Sequence, residues 1–135
     1  MRKMSVLVVM AMLLSVLLAA CGGGGAKGTV EDFIKAFEKR NAEDLGKTLC
    51  SNAEAGLKEN ASAGVFEGIT KIEFDDVKYE EVSNSDNAAT IHVTGTMKME
   101  AEFEGETMSE ESSMDTDFVL AKEDGDWCIV SMTDN

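Results

Sequence analysis

Three cysteines, one histidine, one tyrosine and nine methionines are the side chains of this 135-residue chain with most chemistry to offer. His92 could act as a general base or a metal ligand if a pocket held it beside a second polar group. It falls in Thr90-Ile-His-Val-Thr94, an alternating run, on the side opposite the apolar residues. There it faces water with Thr90 and Thr94. Tyr79 stands alone, and of the acidic residues only Glu110 falls on the apolar side. Met97, Met99, Met108, Met114 and Met132 could offer thioethers to Cu(I), but methionines along an apolar strand face pack as core. Glu100, Glu102, Glu111, Asp115 and Asp117 share the other face. A hard cation needs oxygens converging on one point, and a flat sheet spreads them. There is no CxxC and no Cys/His cluster to hold zinc. We expect no catalytic residue, no metal site and no cofactor, so the chain reads as non-catalytic.

The cysteines say more. Arg2 and Lys3 precede an apolar run from about Met4 to Ala20, which ends in Leu18-Ala19-Ala20-Cys21. A run of about 20 apolar residues could span a bilayer. Charge before the run, small residues at its end and no basic stop-transfer cluster after it instead describe an export signal. The tetrapeptide resembles the bacterial lipobox. That resemblance implies cleavage before Cys21 and a diacylglycerol on its sulfur, a lipid anchor such as palmitate chains provide. Each buried methylene contributes about 0.8 kcal/mol, so several chains hold where one is marginal. The expected layout is a signal peptide over 1–20, the acylated cysteine and a glycine-rich tether over 21–28, and one domain over 29–135. As random coil the tether would hold the domain on the order of 15 Å from the membrane. Gly22 is not an aspartate. In a Gram-negative cell the resemblance then implies the outer membrane, and in a Gram-positive cell the outer face of the plasma membrane. Cys50 and Cys128 remain, either as a disulfide closing a long loop outside the cytoplasm or as two buried apolar thiols.

Removing residues 1–20 takes away Arg2 and Lys3 and no acid. The remaining 115 residues then carry 10 Lys and Arg against 26 Asp and Glu, a formal charge of −16. So acidic a surface repels phosphates, and no nucleic-acid partner is expected. The bilayer, reached through acylated Cys21, is the expected partner.

The elements that must position these residues follow from periodicity. Thr29-Val-Glu-Asp32 reads as a capped helix start, and Val30, Phe33, Ile34 and Phe37 recur at helical spacing over 30–40. Asn41 reads as the next N-cap, before Leu45, Leu49 and Cys50. A third short helix lies around Ala53 and Leu57. From Lys71 the period becomes two, with a bulge or bend at Asp75-Asp76 and a turn over 84–87. Ile91, Val93, Gly95, Met97, Met99, Ala101 and Phe103 share one face. Met108, Met114, Phe118 and Leu120 share the matching face of the next strand. A two-residue turn at Gly105-Glu106 pairs Phe103 with Met108, Met97 with Met114, Val93 with Phe118 and Ile91 with Leu120. Moving that turn by one residue is expected to put Phe118 and Leu120 on the wrong face, which favours this register. Asp124-Gly125 is a strong hairpin signal. It sets Trp127 opposite Lys122 and Ile129 opposite Leu120, with Cys128, Val130 and Met132 on the far face beside Val119 and Ala121. That far face is apolar only at this end. Either a helix covers it or another molecule does, and a homodimer through a sheet face is one form of the second.

Helices followed by a meander of strands make an α+β domain, helices on one face of a bent antiparallel sheet. The helix Val30 to Phe37, a second short helix and a long hairpin closing on Asp124-Gly-Asp-Trp127-Cys-Ile129 resemble the nuclear-transport-factor-2-like fold. They are similar in particular to small lumazine-binding-like bacterial lipoprotein domains of unknown function. The resemblance implies a cone with a pocket at its open end. Phe33, Phe37, Phe74, Val93, Phe118, Leu120, Trp127 and Ile129 are its candidate lining. The expected function is binding of a small apolar ligand or an envelope protein. A docking protein for envelope assembly without a pocket is the rival, and a small isomerase or dehydratase the less favoured third.

Overall fold

The computed structural model describes residues 25–62 and 64–135, so the expected signal peptide and Cys21 lie outside the described residues. Three helices come first: α1 (Gly25–Glu38), α2 (Ala42–Lys47) and α3 (Ala55–Asn60). Four strands follow, β1 (Ile69–Asn84), β2 (Ala88–Phe103), β3 (Glu106–Glu123) and β4 (Asp126–Asp134). They form one antiparallel meander in the order β1-β2-β3-β4. Among the described residues no helix is long and apolar enough to cross a membrane.

α1 begins inside the stretch expected to be tether. Glycine is a poor helix former, but Ala26 is buried together with Val30, Phe33, Ile34 and Ala36 along one face. Packing therefore extends the helix past what propensity allows. Thr29 is not a cap: its hydroxyl donates back to the Gly25 carbonyl at 3.2 Å. Asn41 does cap α2, its side chain accepting from the Asp44 amide at 3.1 Å.

The sheet bends where β1 slips register between Asp75 and Lys78, with Asp76 at φ 53°. Gly95 lies under that slip. A Cβ there would sit 3.1 Å from the Asp75 carbonyl oxygen and 3.2 Å from Val77 Cα, so the close approach needs glycine.

The β2–β3 register differs from the expected one. The turn is Glu104-Gly105, both with positive φ (52° and 82°), which is the geometry of a type I′ hairpin. Ile91 is thereby opposite Phe118, Val93 opposite Thr116, Met97 opposite Ser112 and Ala101 opposite Met108. Sliding a two-residue turn by one position shifts every partner by two and keeps each face. Packing therefore could not decide between these registers; the backbone of the turn does.

The Asp124-Gly125 hairpin sets Trp127 opposite Lys122 and Ile129 opposite Leu120. A bulge then intervenes between Val119 and Leu120, so that Met132 lies opposite Phe118. The extra residue reverses the alternation, and Met132 packs against the core rather than on the far face. The core is Val30, Leu45, Ile91, Val93, Phe118, Leu120 and Ile129, each at most 1% exposed.

Candidate functional site

A cavity of about 480 Å³ opens between the helices and the sheet. Phe33, Ile34 and Phe37 of α1, Leu45 of α2 and Leu57 of α3 form one wall. Phe74 of β1, Met97 of β2, Met114 and Phe118 of β3 and Met132 of β4 form the other. The aromatic rings brace each other: Phe33 meets Phe118 edge to face at 5.5 Å, and Phe37 meets Phe74 at 6.1 Å. This is the size and character of a small-molecule site, apolar with a few placed polar groups.

Those polar groups are Asn60, Ser112, Ser113, Asp115, Thr116, Asp134 and Asn135. Thr116 is buried, and its hydroxyl donates to Oδ1 of exposed Asp134 at 2.7 Å. Asn135 donates its amide to the Asp115 carbonyl at 2.9 Å. Among the described residues no His, Lys, Arg, Tyr or Cys lines the cavity. The Asp134 carboxylate therefore has no cationic partner among the described lining residues, and that of Asp115 turns to the outer face.

Of the eight residues expected to line a pocket, Phe33, Phe37, Phe74 and Phe118 do so. Val93, Leu120, Trp127 and Ile129 do not. Leu120, Trp127 and Ile129 lie toward the other end of the sheet, by the start of α1, whereas Val93 stands opposite cavity-lining Thr116 but is fully buried. A Cβ at Gly25 would meet the Trp127 indole at 3.9 Å, and the Thr29 hydroxyl oxygen lies 3.4 Å from the Trp127 carbonyl oxygen. The periodicity that gathers apolar side chains on one face does not say which of them a helix will cover. Asp134 and Thr116 were missed for other reasons. β4 reaches Asp134 only after its bulge, which no spacing announces, whereas Thr116 shares the face of Met114 and Phe118 in β3 and was passed over because it is polar. Glu110, the acid expected on the apolar side, is exposed opposite Met99, beyond the helices.

His92 is on the outer face, as expected, but it is not merely solvated. Its Nδ1 lies 2.6 Å from Asp117 Oδ1 and its Nε2 3.3 Å from Asp115 Oδ1. The hydrogen bond to Asp117, with the charges of Asp115, Asp117 and Glu80, raises its pKa above the ordinary 6.5. The same bond holds the Asp117 carboxyl below its ordinary value. Burial, with help from Glu31 and Glu38, pushes the Tyr79 hydroxyl up.

Cys50 and Cys128 are bonded, with Cα atoms 4.9 Å apart. Glu123 lies beside both sulfurs, but a disulfide has no thiolate to offer a metal, and the Glu123 carboxylate instead accepts from the Ser51 amide and hydroxyl. The segment from Thr48 to Glu54 runs along β4: Ile129 donates to Thr48, Cys50 to Ile129 and Glu54 to Val130. The far-face patch expected at Val119, Cys128 and Val130 is therefore partly covered. Cys128 is 6% exposed and Val119 37%.

No family model matches the chain, and no curated protein matches it. Solved structures do. A nuclear transport factor 2 (NTF2-like) superfamily protein from Salmonella enterica serovar Typhimurium aligns at a TM-score of 0.62 and 16% identity, over 79% of this chain and 84% of that one. A ketosteroid isomerase-like protein from Erwinia carotovora atroseptica gives 0.60 and 16%, over 79% and 89%. The intermembrane-space region of the chloroplast protein ARC6 gives 0.59 and 12%, over 78% and 93%. At such identities the likeness carries the fold.

Proposed function

We propose, from the premise that this chain folds as a nuclear-transport-factor-2-like cone, that it is a lipid-anchored protein of the cell envelope that binds a small apolar ligand without transforming it. The observation that carries the reading is the cavity of about 480 Å³ walled by Phe33, Phe37, Phe74, Phe118, Leu57 and three methionines. An apolar ligand of that volume gains about 25 cal/mol for each Å² it removes from water. A docking protein would instead have a filled cone and a broad exposed apolar face. Catalysis needs an acid–base pair or nucleophile in the pocket, and His92 is on the opposite face of the sheet. The leader over 1–20 and Cys21 supply the anchor, placing the domain outside the cytoplasm. Only residues 22–24 separate Cys21 from α1, at most about 14 Å of extended chain.

Native mass spectrometry of the protein purified from its own membrane tests this. It is expected to show a chain starting at Cys21, acyl mass on that residue, the Cys50–Cys128 bond and a retained apolar molecule. In a Leu57→Trp variant, which fills the cavity, the retained molecule is expected to be absent. A native N-terminus at Met1 would overturn the anchor. A wild-type protein that carries nothing and binds no apolar fluorescent probe would overturn the ligand.

A further inference from the structure

The polar groups of the cavity are gathered at its rim, and the charges among them have one sign. Asp134 is exposed there, held by the hydroxyl of buried Thr116 at 2.7 Å, which leaves its second oxygen free of that bond. Asp115 borders the cavity too, but its carboxylate turns away to His92 on the outer face, which leaves Asp134 as the rim's charge. Among the described residues no basic side chain lines the cavity, and the whole chain has a formal charge of −14.

A molecule with an apolar body and a charged head enters such a cavity body first. Burying the head would strip its water without replacing it, so the head stays at the rim and the rim selects its sign. A carboxylate or phosphate head would be set against Asp134. An ammonium head would donate to Asp134 while its apolar body lies in the cavity. Building on the ligand-binding reading above, we infer that the site takes apolar molecules bearing one ammonium head, and disfavours fatty acids and other anionic amphiphiles. The selecting residue is Asp134, and Thr116 positions it.

The test compares three octyl compounds that differ only in the head: octylammonium, octanol and octanoate. Each is titrated calorimetrically at pH 7 into the full mature chain held in phosphatidylcholine nanodiscs, with empty nanodiscs subtracted. An exposed ion pair is worth up to about 1 kcal/mol, so octylammonium should bind about fivefold more tightly than octanol, and octanoate most weakly. Asp134→Asn should bring octylammonium down to the affinity of octanol and leave octanol unchanged. Equal binding of all three heads, or a preference that survives Asp134→Asn, overturns the charge selection while the ligand reading stands. No binding of any of the three beyond the empty discs sinks both.

Discussion

The two ends of the sheet carry the same alternation of apolar and polar residues, yet one end is solid and the other hollow. At the closed end Ile91, Leu120 and Ile129 are at most 1% exposed, under the start of α1 and beside the disulfide. At the open end Met97 and Met114 border the cavity, and further out Phe103 and Met108 are 66% and 58% exposed. The cause is a mismatch of lengths. A 16-residue strand such as β2 runs about 50 Å, while the 14-residue α1 runs about 21 Å. One long helix cannot roof such a hairpin, so a single apolar stripe passes in turn from core to cavity wall to bare surface. Burial is decided by the partner layer as much as by the stripe.

That contrast can be broken most directly at the disulfide. Its loop spans 78 residues, and closing a loop of that length stabilises by about 4 kcal/mol through the unfolded chain. The double variant Cys50→Ser, Cys128→Ser is expected to lose about that much in urea unfolding. A loss under about 1 kcal/mol would mean the closed end is held by packing alone. Next in size is Ile91→Ala, expected to cost about 3 kcal/mol because its neighbours cannot close over the gap. Met114→Ala at the cavity wall should cost under about 1 kcal/mol, since it already faces empty space. Equal losses would show the open end to be packed in solution. Smaller again is Phe103→Ser at the hairpin tip, expected to change unfolding free energy by less than about 0.5 kcal/mol.

The smallest effect is one of pH. His92 has a raised pKa when folded, so its contribution is full below the ordinary 6.5 and disappears as pH rises through the raised value. Asp117 has a lowered one, so its contribution is present above the ordinary 3.8 and is lost as pH falls through the depressed value. The melting-temperature difference between the parent chain and His92→Gln should therefore be largest below the ordinary 6.5 and shrink as pH rises above it. A difference that stays flat as pH rises would show the contacts to be steric.

Local chemistry was legible in the sequence wherever one residue type decides it. Asn41 caps α2, Asp124-Gly125 fixes the β3–β4 register, and the paired acids of Asp75-Asp76 mark the bend. The overall fold, helices then a bent meander, was legible because its periods are long and clean. What was not legible depends on events without a side-chain signature. The Glu104-Gly105 turn and its neighbour Gly105-Glu106 keep the same faces, so no pattern separates them. The bulge at Val119-Leu120 turns Met132 inward and carries Asp134 to the cavity rim. α1 starts at Gly25 because Ala26 finds a place in the core, against the preference of the glycines around it. Half of the expected pocket residues proved to be plain core for the same reason: the sequence shows a stripe, and only the roof shows where it ends.

α1 also fixes a polarity of access. Its first residue lies beside Trp127 at the closed end, and its last turns, from Phe33 onward, wall the cavity. Whatever holds the chain upstream of Gly25 thus holds it by the end remote from the hollow, with about 12 Å of helix in between. A surface that captures the N-terminus cannot stopper the mouth. If the chain is anchored there as proposed, traffic into the cavity would come from the watery side, and a protein receiving cargo from it could approach without meeting the anchoring surface.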